Sequence, residues 1–284
     1  MKILLANSYD LAKDMPGIDE IEATVEAEYG DKVIKGTKFT LAHHSDEYKN
    51  HPAPCELENI DSFCGDILIS HIDLDTIGGC LALYNKKPED KKFWQGIGYL
   101  DVNGPHHIHE LEDEVQQKIT AYWAYNSTHI KEKHIGVCDV TDEILKSGEI
   151  IKKIVDKDEK MLYNGTIWKE DTERRVESNL ITENDHLRCF ETEDVFCSSS
   201  YYSPQLKKII PAIAVLNKKM NCVTISFADG GKKYNAADAA KALWGDLAGG
   251  HGGIAGSPRG WDISYDELRT EFERAAAYLE KISK

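Results

Sequence analysis

No apolar run in the sequence approaches the roughly 20 residues that a membrane-spanning helix needs, so a transmembrane segment is excluded. The opening Met1-Lys2-Ile3-Leu4-Leu5-Ala6-Asn7 is too short in its apolar part for a secretory signal, and a cytoplasmic protein without a membrane partner is expected. Positive charge is scarce. With 34 Lys and Arg against 49 Asp and Glu the formal net charge is −15, which excludes capture of long nucleic acid through its phosphate backbone. A small anion can still bind such a chain if metal ions invert the local field. C-x-x-C pairs are absent among the seven cysteines, and the odd count excludes a complete disulfide framework and fits a reducing compartment. No internal repeat is apparent.

What is present is a soluble, globular composition, 41% hydrophobic and 29% charged, over 284 residues. At roughly 100–200 residues per domain this leaves room for two domains. The pattern is organised around Ile67-Leu68-Ile69-Ser70-His71-Ile72-Asp73-Leu74-Asp75-Thr76-Ile77-Gly78-Gly79. An apolar strand runs into a turn and then a helix. Period-2 alternation would send His71, Asp73 and Asp75 from one strand face into the crevice at the carboxyl end of a parallel sheet, where α/β folds hold ligands. A turn aspartate and a helix N-cap is the bland alternative for any one of the three. An imidazole and two carboxylates together suggest a divalent cation.

Other segments extend the pattern. Lys2–Ala6 reads as a strand, Asp19–Tyr29 as a helix with Ile21 and Val25 on one face, and Thr40–Ala42 as a strand delivering His43, His44 and Asp46 into a loop. Adjacent histidines on opposite sides of a chain would be poor joint ligands of one ion. Gly96–Leu100 reads as a strand ending in Asp101, followed by the turn Asn103-Gly104-Pro105 and by His106, His107 and His109; together they could complete a two-metal cluster. Lys133–Cys138 reads as a strand ending at Asp139, a further candidate ligand by the same logic. From Ile144 to about Asn179 the pattern is helical and highly charged, and beyond His186 short strands follow at 187–190, 195–199, 212–216 and 223–227. Cys197 has no base beside it in sequence and is not read as a nucleophile. After a helix over Asn235–Leu247 come Gly249, Gly250, His251, Gly252, Gly253 and Gly256, a loop whose backbone can approach an anion closely, with Arg259 adding charge. Ser264-Tyr265-Asp266-Glu267 is a capping box that opens a last amphipathic helix.

The fold expected is α/β. An N-terminal, mostly parallel sheet flanked by helices (1–150) is joined by a helical linker (151–184) to a smaller α+β C-terminal domain with the Gly-rich loop (185–284).

His71-Ile72-Asp73-Leu74-Asp75-Thr76-Ile77-Gly78-Gly79 and the later Ala248-Gly249-Gly250-His251-Gly252-Gly253-Ile254-Ala255-Gly256 together resemble the DHH phosphoesterases with their associated C-terminal domain, the RecJ-like group. In that family the first motif is a strand ending His-x-Asp-x-Asp, and the C-terminal domain carries Gly-Gly-Gly-His-x-x-Ala-Ala-Gly. The contiguous Asp-His-His triplet is absent, its nearest equivalent being Asp101 followed after an insertion by His106-His107. Asp101 can therefore stand for the second-motif aspartate, the triplet aspartate, or a merger of both. The resemblance implies a metal-dependent phosphoesterase using manganese or magnesium, two ions in all, held by His71, Asp73, Asp75, Asp101, His107 and Asp139. Asp75, His106 and His107 would serve the chemistry, while Gly249–Gly253, His251 and Arg259 would grip the substrate. That substrate would be a short oligonucleotide, a nucleotide phosphate or polyphosphate, and a homodimer is an open assembly. Two other readings remain: a phosphate-ligand binding or regulatory protein with a degenerate metal site, and a one-metal hydrolase of a non-phosphate bond through His43 or His44 with His71.

Overall fold

The computed structural model describes residues 1–128, 134–193, 198–258 and 260–283. Two compact units emerge: Met1–Val102 with Leu111–Lys169, and Asn103–Glu110 with Glu170–Lys284. The division falls inside the helix Glu159–Ser178, and the His106-His107 segment belongs to the second unit rather than to the first.

The first unit is built on a five-stranded sheet in the order Phe39–Leu41, Ala23–Val25, Ile67–Ile69, Ile3–Leu5, Cys138–Asp139. The first four strands are parallel and the last is antiparallel to Ile3–Leu5. Ile67, Leu68 and Ile69 sit between two neighbours and are wholly buried, as a central parallel strand covered on both faces must be. The helices Leu74–Leu83, Lys91–Asn103, Asp113–Thr128 and Thr141–Val155 belong to the same layered arrangement. Leu74–Leu83 is buried along its whole length, and its neighbours approach too closely for a larger residue at two points. A Cβ on Gly78 would lie 2.5 Å from Cys55 Cβ, and one on Gly79 would lie 2.8 Å from Val25 Cγ1. The glycine pair that ends the sequence motif is thus a packing requirement.

Two segments differ from the sequence expectation. Gly96–Leu100 is helix, because Phe93, Trp94, Ile97 and Leu100 bury one face at helical spacing across a longer window than the five residues that read as a strand. Asp101 therefore leaves the last turn of a helix. The stretch Asp19–Tyr29 is a single 3-10 turn, Ile18–Glu20, followed by the strand Ala23–Val25. All three strand residues are buried, so the segment carries no alternation to reveal it.

The second unit has a six-stranded sheet in the order Gly249–Gly250, Ile254–Gly256, Cys222–Phe227, Ala212–Asn217, Leu187–Thr192, Leu180–Glu183. Only Leu187–Thr192 and Ala212–Asn217 pair in parallel. The helices Ala236–Trp244 and Tyr265–Ile282 join Leu187, Leu216, Ile225 and Phe227 in one core, and Ser264 and Glu267 make the reciprocal capping box. Arg188 is fully buried, donating to Glu183 Oε2 at 2.9 Å and Ser200 O at 2.7 Å and pairing with Glu177. Of the strand expected over 195–199, residues 195–197 including Cys197 lie outside the described residues, and Ser198–Tyr201 is a 3-10 turn. Among the described residues no helix is long and apolar enough to cross a membrane.

Candidate metal centre

The carboxyl ends of three adjacent parallel strands deliver the site. Ala23–Val25 leads directly into Glu26, Phe39–Leu41 into His43 and His44, and Ile67–Ile69 into the turn before the motif helix. Glu26 is fully buried and takes a left-handed φ of 52°, a conformation that costs a non-glycine residue free energy and is tolerated where the surroundings enforce it. Its N–H donates to Leu41 O at 2.9 Å, and its carbonyl accepts from the Ser70 hydroxyl. Both neighbouring strands therefore pin the residue and turn its carboxylate inward.

His43 and His44 are fixed from behind. Their N–H groups and that of Ser45 all donate to the Glu28 carboxylate, at 3.0, 3.2 and 2.7 Å. Burial pushes the Glu28 carboxyl up, but these N–H groups outweigh it and hold its pKa below the ordinary value. The loop that results is not an extended strand, so the two imidazoles do not diverge. Their ring centroids are 4.2 Å apart, and both Nε2 atoms lie 3.0 Å from Asp101 Oδ2. This corrects the expectation that the adjacent histidines lie on opposite sides of the chain and are therefore poor joint ligands of one ion. Glu26 Oε1 is 3.3 Å from His43 Nε2, and Glu26 Oε2 is 3.1 Å from His44 Nε2.

Asp75 enters from the first turn of the motif helix. Its Oδ1 accepts from the Cys55 N–H at 2.8 Å, while Oδ2 faces His43 Nε2 at 3.4 Å. Asp73 is the N-cap of the same helix, accepting from the Thr76 N–H at 2.8 Å, and its other oxygen meets His71 Nε2 at 3.2 Å. The strand ends at Ile69, so period-2 alternation is not what gathers these side chains. A helix N-terminus does so instead, and the bland N-cap reading is correct for Asp73.

Charge follows the geometry. Burial works against protonation of His43, yet Asp101, Asp75 and Glu26 together push its pKa up to about 12. For His44, Asp101 and Glu26 push it up to about 10. Asp101 is driven well below the usual carboxylate range by the two imidazoles, against its burial, whereas Asp75 is pushed up by burial. Asp73 raises the pKa of His71 and is itself held low by it, against burial of the carboxylate.

Both Glu26 carboxylate oxygens, His43 Nε2, Asp75 Oδ2 and Asp101 Oδ2 are buried and aim at one another at ion-pair distances, but none is in hydrogen-bond geometry. Convergent polar atoms without hydrogen bonds are costly unless a further group satisfies them. A divalent cation fits: Glu26, His43, His44 and Asp101 each offer one donor atom, all within 4.8 Å of one another. Two nitrogens and two oxygens form a borderline donor set.

Not every expected residue joins this group. Asp139 accepts from the Thr141 hydroxyl at 2.6 Å and pairs in register with Leu4 on a strand that runs antiparallel, so it lies toward the amino end of the parallel strands, away from the centre. His106 and His107 lie in the second unit. The His106 ring is buried against Tyr201 at 4.8 Å, with its pKa pushed down to about 4 by burial, and His107 Nδ1 pairs with Glu110 at 3.0 Å. Gly249–Gly253 form an edge hairpin rather than an open loop: Gly250 pairs with Ala255, the His251 N–H donates to Ile254 O, and the Gly253 N–H faces His251 Nδ1 at 3.3 Å. Arg259 lies outside the described residues. Glu26 was missed because its segment reads as a helix, whereas the position of His43 and His44 just past a strand was a usable signal.

No family model and no curated protein matches the sequence. Among solved structures, an exopolyphosphatase-related protein from Bacteroides fragilis is similar at 15% identity and a TM-score of 0.33, over 99% of this chain and 84% of that one. An uncharacterized protein from Helicobacter pylori gives 10% identity and a TM-score of 0.25, over 87% and 76%. Likeness at this level says nothing of chemistry.

Proposed function

We propose that the first unit is a divalent-metal-dependent hydrolase of a small phosphoester or phosphoanhydride. The observation that carries this reading is the convergence of the buried, hydrogen-bond-deprived atoms of Glu26, His43, Asp75 and Asp101 at the carboxyl edge of the parallel strands. Glu26, His43, His44 and Asp101 would hold one ion. Two imidazoles favour manganese over magnesium, which prefers oxygen and retained water. Asp73, on the adjoining turn, would be available to a second. Such an ion, when bound, would supply polarisation of a phosphoryl oxygen and a lowered pKa for a bound water.

The chain's own residues supply the proton handling. Asp75, with its carboxyl pushed up by burial, suits the base that takes a proton from the attacking water. His71 is exposed, and Asp73 favours its protonated form, which suits the acid at the leaving oxygen. His106, buried and pushed toward the neutral form, does not suit that acid role. The hairpin around His251 is proposed as a phosphate-contacting element of the second unit.

Release of phosphate or alcohol from a panel of small phosphoesters with added Mn²⁺ tests the reading. An Asp75→Asn variant should lose about 10²–10⁴-fold in turnover. Hydrolysis that survives chelation, or that Asp75→Asn leaves intact, would overturn it. The place of Asp139 at the far edge supports a second reading, a one-ion or metal-free binder of phosphate ligands; full occupancy without turnover of any phosphoester would favour that.

A further inference from the structure

The first unit holds a cavity of about 350 Å³ whose lining includes Asp73, the N-cap of the helix that carries Asp75. Its apolar walls come from Leu5 and Leu74 and its aromatic ones from Tyr122 and Trp123. Asn126, His134, Glu143 and Ser147 supply its polar edge. Glu143 Oε2 pairs with His134 Nε2 at 3.1 Å, and a carboxylate accepts at both of its oxygens. The volume lies at the small end of the range for organic-ligand sites.

The lining excludes one half of a phosphorylated substrate and suits the other. Asp73 and Glu143 are already paired with His71 and His134, and none of the described lining residues is a lysine or arginine, so an inorganic phosphate chain finds no strong cationic partner there. A flat, apolar-faced ring packs well against Tyr122, Trp123 and the leucines. Ring-borne N–H groups match the carboxylate acceptors, and the Asn126 amide can both donate and accept. The geometry points to a subsite for an amino-bearing nucleobase, with Asn126 and Glu143 as its specificity-determining residues. Resting on the hydrolase reading, this narrows the substrate to a nucleoside phosphate whose base occupies the cavity while its phosphate faces the metal centre.

Calorimetric titration of the full chain with adenosine, cytidine and uridine in the presence of chelator isolates the subsite from the metal. Adenosine and cytidine should bind, cytidine about tenfold more tightly than uridine, because its exocyclic amine finds an acceptor worth about 1.4 kcal/mol. Asn126→Leu and Glu143→Gln should each weaken cytidine by about tenfold while leaving Mn²⁺ uptake unchanged, which shows that the variants are folded. Absence of nucleoside binding by protein that takes up Mn²⁺, or binding indifferent to both variants, would overturn the inference. Cleavage of pyrophosphate without nucleoside binding would sink the subsite and keep the hydrolase, whereas variant-sensitive nucleoside binding without turnover of any phosphoester would do the reverse.

Discussion

Glu28 shows how a residue that touches no ion can govern the centre. Its carboxylate gathers three successive N–H groups and so sets the direction of both imidazoles. Replacing it by alanine should lower Mn²⁺ affinity by about 10–100-fold, the usual effect of removing a group that orients ligands. Equilibrium dialysis checks this, and unchanged affinity would mean the loop holds its shape without Glu28. The histidines also carry a pH signature. Their folded pKa values, about 12 and about 10, stand above the ordinary 6.5, so the metal-free fold binds more protons than the unfolded chain between those limits. The associated stability is fully present below about pH 6.5 and is lost as pH rises through 10 and beyond. Urea midpoints of chelated protein should fall from pH 7 to pH 10, and Mn²⁺, which must displace these protons, should bind more tightly over the same interval.

At the scale of elements, tight packing around the motif helix makes its glycines sensitive. Gly78→Ala forces a methyl group onto Cys55 and Trp94 and should cost about 1–3 kcal/mol, read from the urea midpoint. Gly249→Ala, where nothing lies within 4 Å, should stay within about 0.5 kcal/mol. Elements are also where sequence reasoning succeeded and failed. Ile67–Ile69 was legible because an uninterrupted apolar run ended in turn residues, and the last helix because Ser264 and Glu267 announce its cap. Ala23–Val25 was not, since a strand buried on both faces lacks alternation and Ile21 and Val25 mimic a helical pair. That one error hid Glu26. His43 and His44 were in view, but their convergence depends on Glu28, a long-range contact that no local pattern encodes. Asp75 and Asp101 were singled out by strand-exit logic, yet both sit on helices whose ends bring them beside His43.

Across the whole molecule, individual histidines carry opposite pH dependences. His106 in the second unit has its pKa pushed down to about 4, so the unfolded chain takes up its proton first; stability from this residue is present above about pH 6.5 and is lost as pH falls through 4. With a net charge of −15, long nucleic acid is not expected as a partner. Gel retardation with a 60-nucleotide single strand should show no complex at about 50 mM salt, since no excess of cations is available to displace counterions. A stable complex there would restore long nucleic acid as a ligand.

Mn²⁺ uptake followed by loss of the free-ion electron paramagnetic resonance signal tests most directly whether Glu26, His43, His44 and Asp101 form a metal centre. The unmodified chain should remove at least one equivalent, and Glu26→Gln and His43→Asn, each still folded by circular dichroism, should weaken that uptake by at least tenfold. Uptake that both variants retain, or none by the unmodified chain, would contradict the account.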